Sequence, residues 1–74
     1  MEDKTLDLRG LKCPLPVLKT RKALSKLVSG DQLIVLTTDP MSTLDLPHMC
    51  NEDGHTVLSS NTSSNGTSFL IRKG

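Results

Sequence analysis

Few side chains in this 74-residue chain have the chemistry of a reactive centre: Cys13, Cys50, His48, His55 and a scatter of carboxylates. Cys13 stands in the run Asp7-Leu8-Arg9-Gly10-Leu11-Lys12-Cys13-Pro14-Leu15-Pro16-Val17-Leu18, where a glycine precedes a cysteine and two prolines one residue apart. Proline fixes φ near the helical value and lacks an N–H, so Pro14 and Pro16 suit the first turn of a helix and nothing deeper. A residue before proline is pushed towards extended backbone, which places Cys13 just outside that helix, near its N-cap. A thiol there meets the positive end of the helix macrodipole and can accept hydrogen bonds from free backbone amides, such as those of Leu15 and Val17. Both effects favour the nucleophilic thiolate, and Arg9 and Lys12 are expected to push the same way.

Free cysteine is also among the most buried residue types, so position alone reads Cys13 equally well as a small core hydrophobe. The stiffened backbone after the thiol, and an apolar Leu15 beside it, tip the balance to a functional sulfur. No histidine is near in sequence to serve as a base, and the chain is too short to enclose a substrate pocket. A reactive thiol without a pocket suggests a carrier that presents its sulfur to other proteins.

The remaining candidates read as structural. Cys50 falls on a buried helix face, Asp39 and Asp45 are helix caps, and His48 and His55 are surface or strand-edge residues. Cys13, His48, Cys50 and His55 contain no Cys-x-x-Cys pair and Cys13 lies far from the rest, so no metal and no cofactor are expected. A Cys13–Cys50 disulfide enters only as a transient redox state, because nothing at the N-terminus resembles a secretory signal and the default is a reducing cytoplasm.

The elements that must position Cys13 follow from periodicity. Met1 to Lys4 is polar and expected to fray. Thr5 to Arg9 alternates with period two, putting Leu6 and Leu8 on one strand face. Gly10 turns the chain, and the helix opened by the prolines runs to about Val28, where Gly30 caps it. Val17, Thr20, Leu24, Leu27 and Val28 gather on one side of that helix; Lys19, Lys22 and Lys26 gather on the other, with Leu15 among them. Leu33 to Leu36 is an apolar, β-branched run that belongs in the middle of a sheet, parallel to the first strand through a right-handed crossover.

Pro47 forbids one uninterrupted helix from Asp39 to Gly54. The expected helix therefore has Asp45 as N-cap, Pro47 in its first turn, a buried stripe of Leu46, Met49 and Cys50, and a stop at Gly54. Thr56–Ser59 and Ser68–Arg72 read as an antiparallel hairpin joined through Asn65-Gly66. The result is a βαβαββ chain, an α/β two-layer sandwich with two helices on one face of a four-stranded mixed sheet.

Composition sets limits on function. Seventy-four residues make a single domain, 1–74, near the lower size limit for an unaided core, and Phe69 is the one aromatic residue. Nine Lys and Arg stand against eight Asp and Glu, so strong direct nucleic-acid binding through bulk charge is not expected. The apolar runs are far too short to span a membrane. The expected state is a cytoplasmic monomer.

The run from Leu6 to Val17 resembles the signature of the TusA (SirA-like) family of small sulfur carriers, marked by Cys-Pro-x-Pro at the start of the first helix. The likeness continues in Thr38-Asp39-Pro40, in Asp45-Leu46-Pro47 with Cys50 shortly after, and in the closing Leu70-Ile71-Arg72-Lys73-Gly74. The resemblance implies a βαβαββ sandwich whose motif cysteine, here Cys13, accepts sulfane sulfur as a persulfide from a cysteine desulfurase. It then relays that sulfur to a downstream acceptor, in tRNA thiolation or another sulfur pathway. The implied activity is a sulfurtransferase-type relay, not that of a stand-alone enzyme, with Arg9, Lys12, Pro14, Leu15, Pro16 and Lys19 meeting the partners. The tRNA-relay branch carries an acidic residue between the prolines where this chain has Leu15, so the carrier chemistry transfers more safely than the identity of donor and acceptor. The competing readings are a dithiol redox module using Cys13 and Cys50, and a protein- or RNA-binding module without sulfur transfer.

Overall fold

A computed structural model describes residues 4–74. The expectation of fraying at Met1 to Asp3 lies outside these residues, whereas Lys4 already belongs to a strand. The order is β1 (Lys4–Asp7), α1 (Leu15–Ser25), β2 (Gln32–Thr37), α2 (Ser42–Asp53), β3 (Thr56–Ser63) and β4 (Gly66–Arg72). The strands lie in the order β1-β2-β4-β3, with β1 parallel to β2 and both other pairings antiparallel. The expected four-stranded mixed sheet and βαβαββ order are what the chain adopts.

Alternation along β2 buries Leu33, Val35 and Thr37 on one face, and Phe69 and Ile71 of β4 lie on the same side. Leu24 of α1 and Leu46, Met49 and Cys50 of α2 cover that face and complete the core. The stripe read for α2 is therefore correct. Ile34 and Leu36, on the other face of β2, are half-buried because no helix covers that side. None of the helices among the described residues is long and apolar enough to cross a membrane.

Several boundaries differ from expectation for local reasons. β1 ends at Asp7, yet Leu8 stays buried and donates its amide to the Leu36 carbonyl at 2.7 Å. α1 stops at Ser25 and leaves Val28 67% exposed, outside the buried stripe. Gly30 does not cap it: its amide donates to Lys73 O, and the turn is closed by Asp31, whose amide donates to Val28 O and whose carboxylate receives the Val28 amide. α2 begins at Ser42, so Asp45 sits in its first turn and is not the N-cap, and Pro47 lies inside the helix. The proline is tolerated because it removes a single amide from a helix anchored earlier by Ser42 N–H to Asp39 O and Asp45 N–H to Met41 O. Gly54 ends α2 in a left-handed conformation, as expected.

The hairpin strands are longer than the apolar runs suggested, because the polar segment Ser60–Ser63 continues the β3 ladder opposite Gly66–Phe69. The two turn residues are Ser64 and Asn65, and Gly66 is the first residue of β4, with φ +122°. A Cβ at Gly66 would overlap the Thr37 carbonyl oxygen. Gly66→Ala is therefore expected to destabilise the fold by about 2–3 kcal/mol through backbone strain and that overlap, read as a lowered denaturation midpoint.

Candidate functional site: the Cys13 thiol

β1 and β2 are parallel, so their C-terminal ends lie side by side and the loops that leave them meet. Gly10, with φ +88°, turns the first loop and donates its amide to Thr38 Oγ1 in the second at 2.8 Å. The Leu11 amide bonds back to Leu8 O, tightening the turn. Two residues later Cys13 donates its amide to Asp39 Oδ2 at 2.6 Å. Asp39 is itself fixed, since its other oxygen receives the Met41 amide and its own amide donates to Thr37 Oγ1.

Pro14 occupies the N-cap position of α1, with Leu15 and Pro16 as the first helical residues. The prolines fall where the helix lacks internal donors, as their chemistry requires. Pro16 turns its ring into the core, while Leu15 and Leu18 stay 43% and 51% exposed. Cys13 is exposed and just outside the helix, as the pre-proline position implied.

The electrostatics contradict the expectation of a favoured thiolate. The Cys13 thiol donates to Asp45 Oδ2 at 3.4 Å, and this hydrogen bond, with desolvation and the charges of Asp45 and Asp39, pushes its pKa above the ordinary value. The Leu15 amide assigned to the sulfur is committed to Lys12 O at 2.9 Å. Arg9 pairs with Asp7 at 2.8 Å and holds that carboxyl down at about 2, so its charge is spent next door. A helix end contributes roughly half a positive charge, whereas Asp45 places a full negative charge in contact. The carboxylates win.

Two shallow clefts flank the sulfur. One, of about 290 Å³, lies towards the β2–α2 loop and is lined by Gly10, Leu11, Lys12, Thr38, Asp39 and Pro40 as well as Cys13. The other, of about 270 Å³, runs between the helices, with Pro14, Val17 and Met49 as apolar floor and Arg21, Asp45, His48 and Glu52 as polar rim. Arg21 spans the helices to Asp53 at 2.8 Å, and His48 pairs with Glu52. Of the residues singled out by sequence, Lys12, Cys13 and Pro14 share these clefts, and Leu15 follows on the helix. Arg9 and Lys19 do not join them; Lys19 lines a separate depression with Lys4, Lys22 and Lys26.

Asp39 and Asp45 were read as caps, and their contact with Cys13 was missed. A usable signal existed for Asp39: it lies in the loop just after a strand parallel to the one that delivers the thiol. Asp45 had no such signal, because its approach depends on where α2 starts. Cys50 is 1% exposed, and burial, followed by the charge of Asp53, pushes its thiol up to about 11. It belongs to the core.

The family model described as sulfurtransferase TusA matches residues 4–73. Among solved structures, a SirA-like protein from Desulfitobacterium hafniense superposes with a TM-score of 0.78 at 28% identity, covering 93% of each chain. A match over almost every described residue, with the fold reproduced, places this chain in the TusA family, whose members serve in sulfur transfer.

Proposed function

We propose that the protein is a sulfur carrier that takes up sulfane sulfur on Cys13 as a persulfide from a cysteine desulfurase and passes it to a downstream acceptor protein. The observation that supports this most directly is an exposed thiol at the tip of α1, flanked by open clefts instead of an enclosed pocket. An open site favours contact with another protein's cysteine over capture of a small substrate.

In loading, Cys13 Sγ attacks the outer sulfur of the donor persulfide. The Cys13 Sγ–S bond forms, the donor S–S bond breaks, and the Cys13 proton ends on the released donor thiol. The oxidation level of the transferred sulfur is conserved, so no external oxidant or reductant is needed. Delivery repeats the exchange with the acceptor thiol. Exposed Leu15 beside the sulfur, with Pro14 and Lys12, forms the contact surface, while Arg9 and Lys19 lie outside the clefts at the thiol. Pro16 acts through the rigid first turn it packs against the core.

The test is to incubate the folded protein with a cysteine desulfurase, cysteine and pyridoxal phosphate, then map peptides by mass. The expected result is one added sulfur atom on the peptide holding Cys13, removed by dithiothreitol. Sulfur found elsewhere, or on no peptide, rejects the carrier reading.

A further inference from the structure

Two carboxylates from two different elements converge on one residue: Asp45 of α2 receives the thiol proton of Cys13, and Asp39 of the β2–α2 loop receives its amide. Three of the other acidic side chains have cationic partners, Asp7 with Arg9, Glu52 with His48 and Asp53 with Arg21, and the Asp31 carboxylate receives the Val28 amide in its own turn. Asp39 and Asp45 have no such ion pair among the described residues. Asp45 is half-buried at the mouth of the inter-helix cleft, held in the first turn of α2 by its amide bond to Met41 O. The geometry thus spends a carboxylate on the very atom a carrier must keep reactive.

We infer that Asp45 is the residue that positions and restrains Cys13, holding the sulfur-free thiol protonated and turned towards α2, so that reaction requires this contact to be given up. The inference rests on the carrier reading for its use in the cell, but its chemistry is a property of the thiol. Loading therefore begins with release of the Sγ–H from Asp45 Oδ2, and the proton passes to the departing donor sulfur. After loading, the S–H donor is gone and a carboxylate faces a sulfur chain that ionises more readily than a thiol. Repulsion then turns the outer sulfur away from α2 towards solvent, where an acceptor reaches it. The same residue therefore quiets the empty carrier and presents the loaded one. The other charged groups around the site are Asp39 and Lys12 on the loops, Arg21 on α1, and His48 and Glu52 on α2.

Alkylation of Cys13 by iodoacetamide, followed by peptide mass from about pH 6 to about pH 11, tests the assignment. Asp45→Asn is expected to react roughly five- to tenfold faster than wild type near pH 7.5, with a lowered pH midpoint, because one pKa unit is tenfold in thiolate. Asp45→Glu should restore slow reaction, and Asp39→Asn should accelerate it less, since that carboxylate holds the amide and not the sulfur. Coincident profiles for wild type and Asp45→Asn, or a larger effect from Asp39→Asn, overturn the inference. Should Asp45→Asn fail to fold, the wild-type protein decides. The inference requires Cys13 to alkylate faster near pH 7.5 in denaturant than in the native state, and an equal or slower denatured rate overturns it. Failure of desulfurase loading with these profiles intact would reject the carrier reading alone; the reverse outcome would reject the role of Asp45 alone.

Discussion

Cys13→Ala is expected to remove all dithiothreitol-labile sulfur from the protein while leaving its stability within about 0.5 kcal/mol of wild type, because an exposed side chain loses little packing when truncated. Cys50→Ala is expected to do the opposite. Its sulfur is buried against α2's neighbours, and truncation should destabilise by roughly 1–2 kcal/mol while loading persists in the folded fraction. The asymmetry has a chemical basis as well as a steric one. A thiol pushed up to about 11 is ionised to about three parts in ten thousand at pH 7.5, and it has no path to a partner. Desulfurase labelling of both variants, alongside urea unfolding, checks the pair. Sulfur retained by Cys13→Ala, or lost from folded Cys50→Ala, would contradict the assignment. A dithiol mechanism predicts that the two cysteines fail together, so the same experiment separates it from the carrier reading.

Leu46→Ala should give the largest loss of stability of any single truncation in α2. Leu46 is fully buried and belongs to the cluster with Leu24, Leu33, Val35, Phe69 and Ile71. Leu-to-Ala changes at such sites remove about 2–5 kcal/mol through lost transfer energy and the cavity left behind. A chain of this length has roughly 4–11 kcal/mol in total. The variant is therefore expected to melt roughly 10–40 °C lower, by circular dichroism, or not to fold at growth temperature. Unlike Gly66→Ala, which strains the sheet against the Thr37 backbone, this change loosens the helix that carries Asp45. A melting shift below a few degrees would mean that α2 collapses onto the void, and that the core is less tightly packed than its burial indicates.

Much of this architecture was legible because it rests on short-range rules. Period-two alternation marked β1, a continuous apolar, β-branched run marked β2, two prolines marked the start of α1, and Gly54 marked the end of α2. Pro47 misled for the same reason: a local rule against proline inside helices outweighed anchoring by Asp39 and Met41, which tertiary structure supplies. The Asn65-Gly66 pair located the hairpin, but Gly66 is there for its close approach to the β2 backbone, a requirement that the two strands impose together. The chemistry of Cys13 was the least legible part. Its exposure and place beside the helix follow from the residue after it, yet its ionisation is set by carboxylates twenty-six and thirty-two positions away. Counting nearby basic residues in sequence gave the wrong sign, because Arg9 is consumed by Asp7 and α2 delivers the opposite charge.

The strand order bears on how the chain reaches its native state. β2 lies between β1 and β4, the first and last strands described, so the central ladder cannot be completed from neighbouring segments. Only the β3–β4 hairpin forms from adjacent sequence. Loop-closure entropy must be met before most of the sheet gains its pairings, which raises the contact order and slows folding relative to a helical bundle of this size. It also makes folding cooperative: the loops that bring Asp39 to the Cys13 amide are anchored by the parallel pair, the most distant pairing in the chain's first half. The reactive cysteine thus acquires its two carboxylate neighbours only when the sheet closes, and a kinetic trace of its alkylation would report on that last step of assembly.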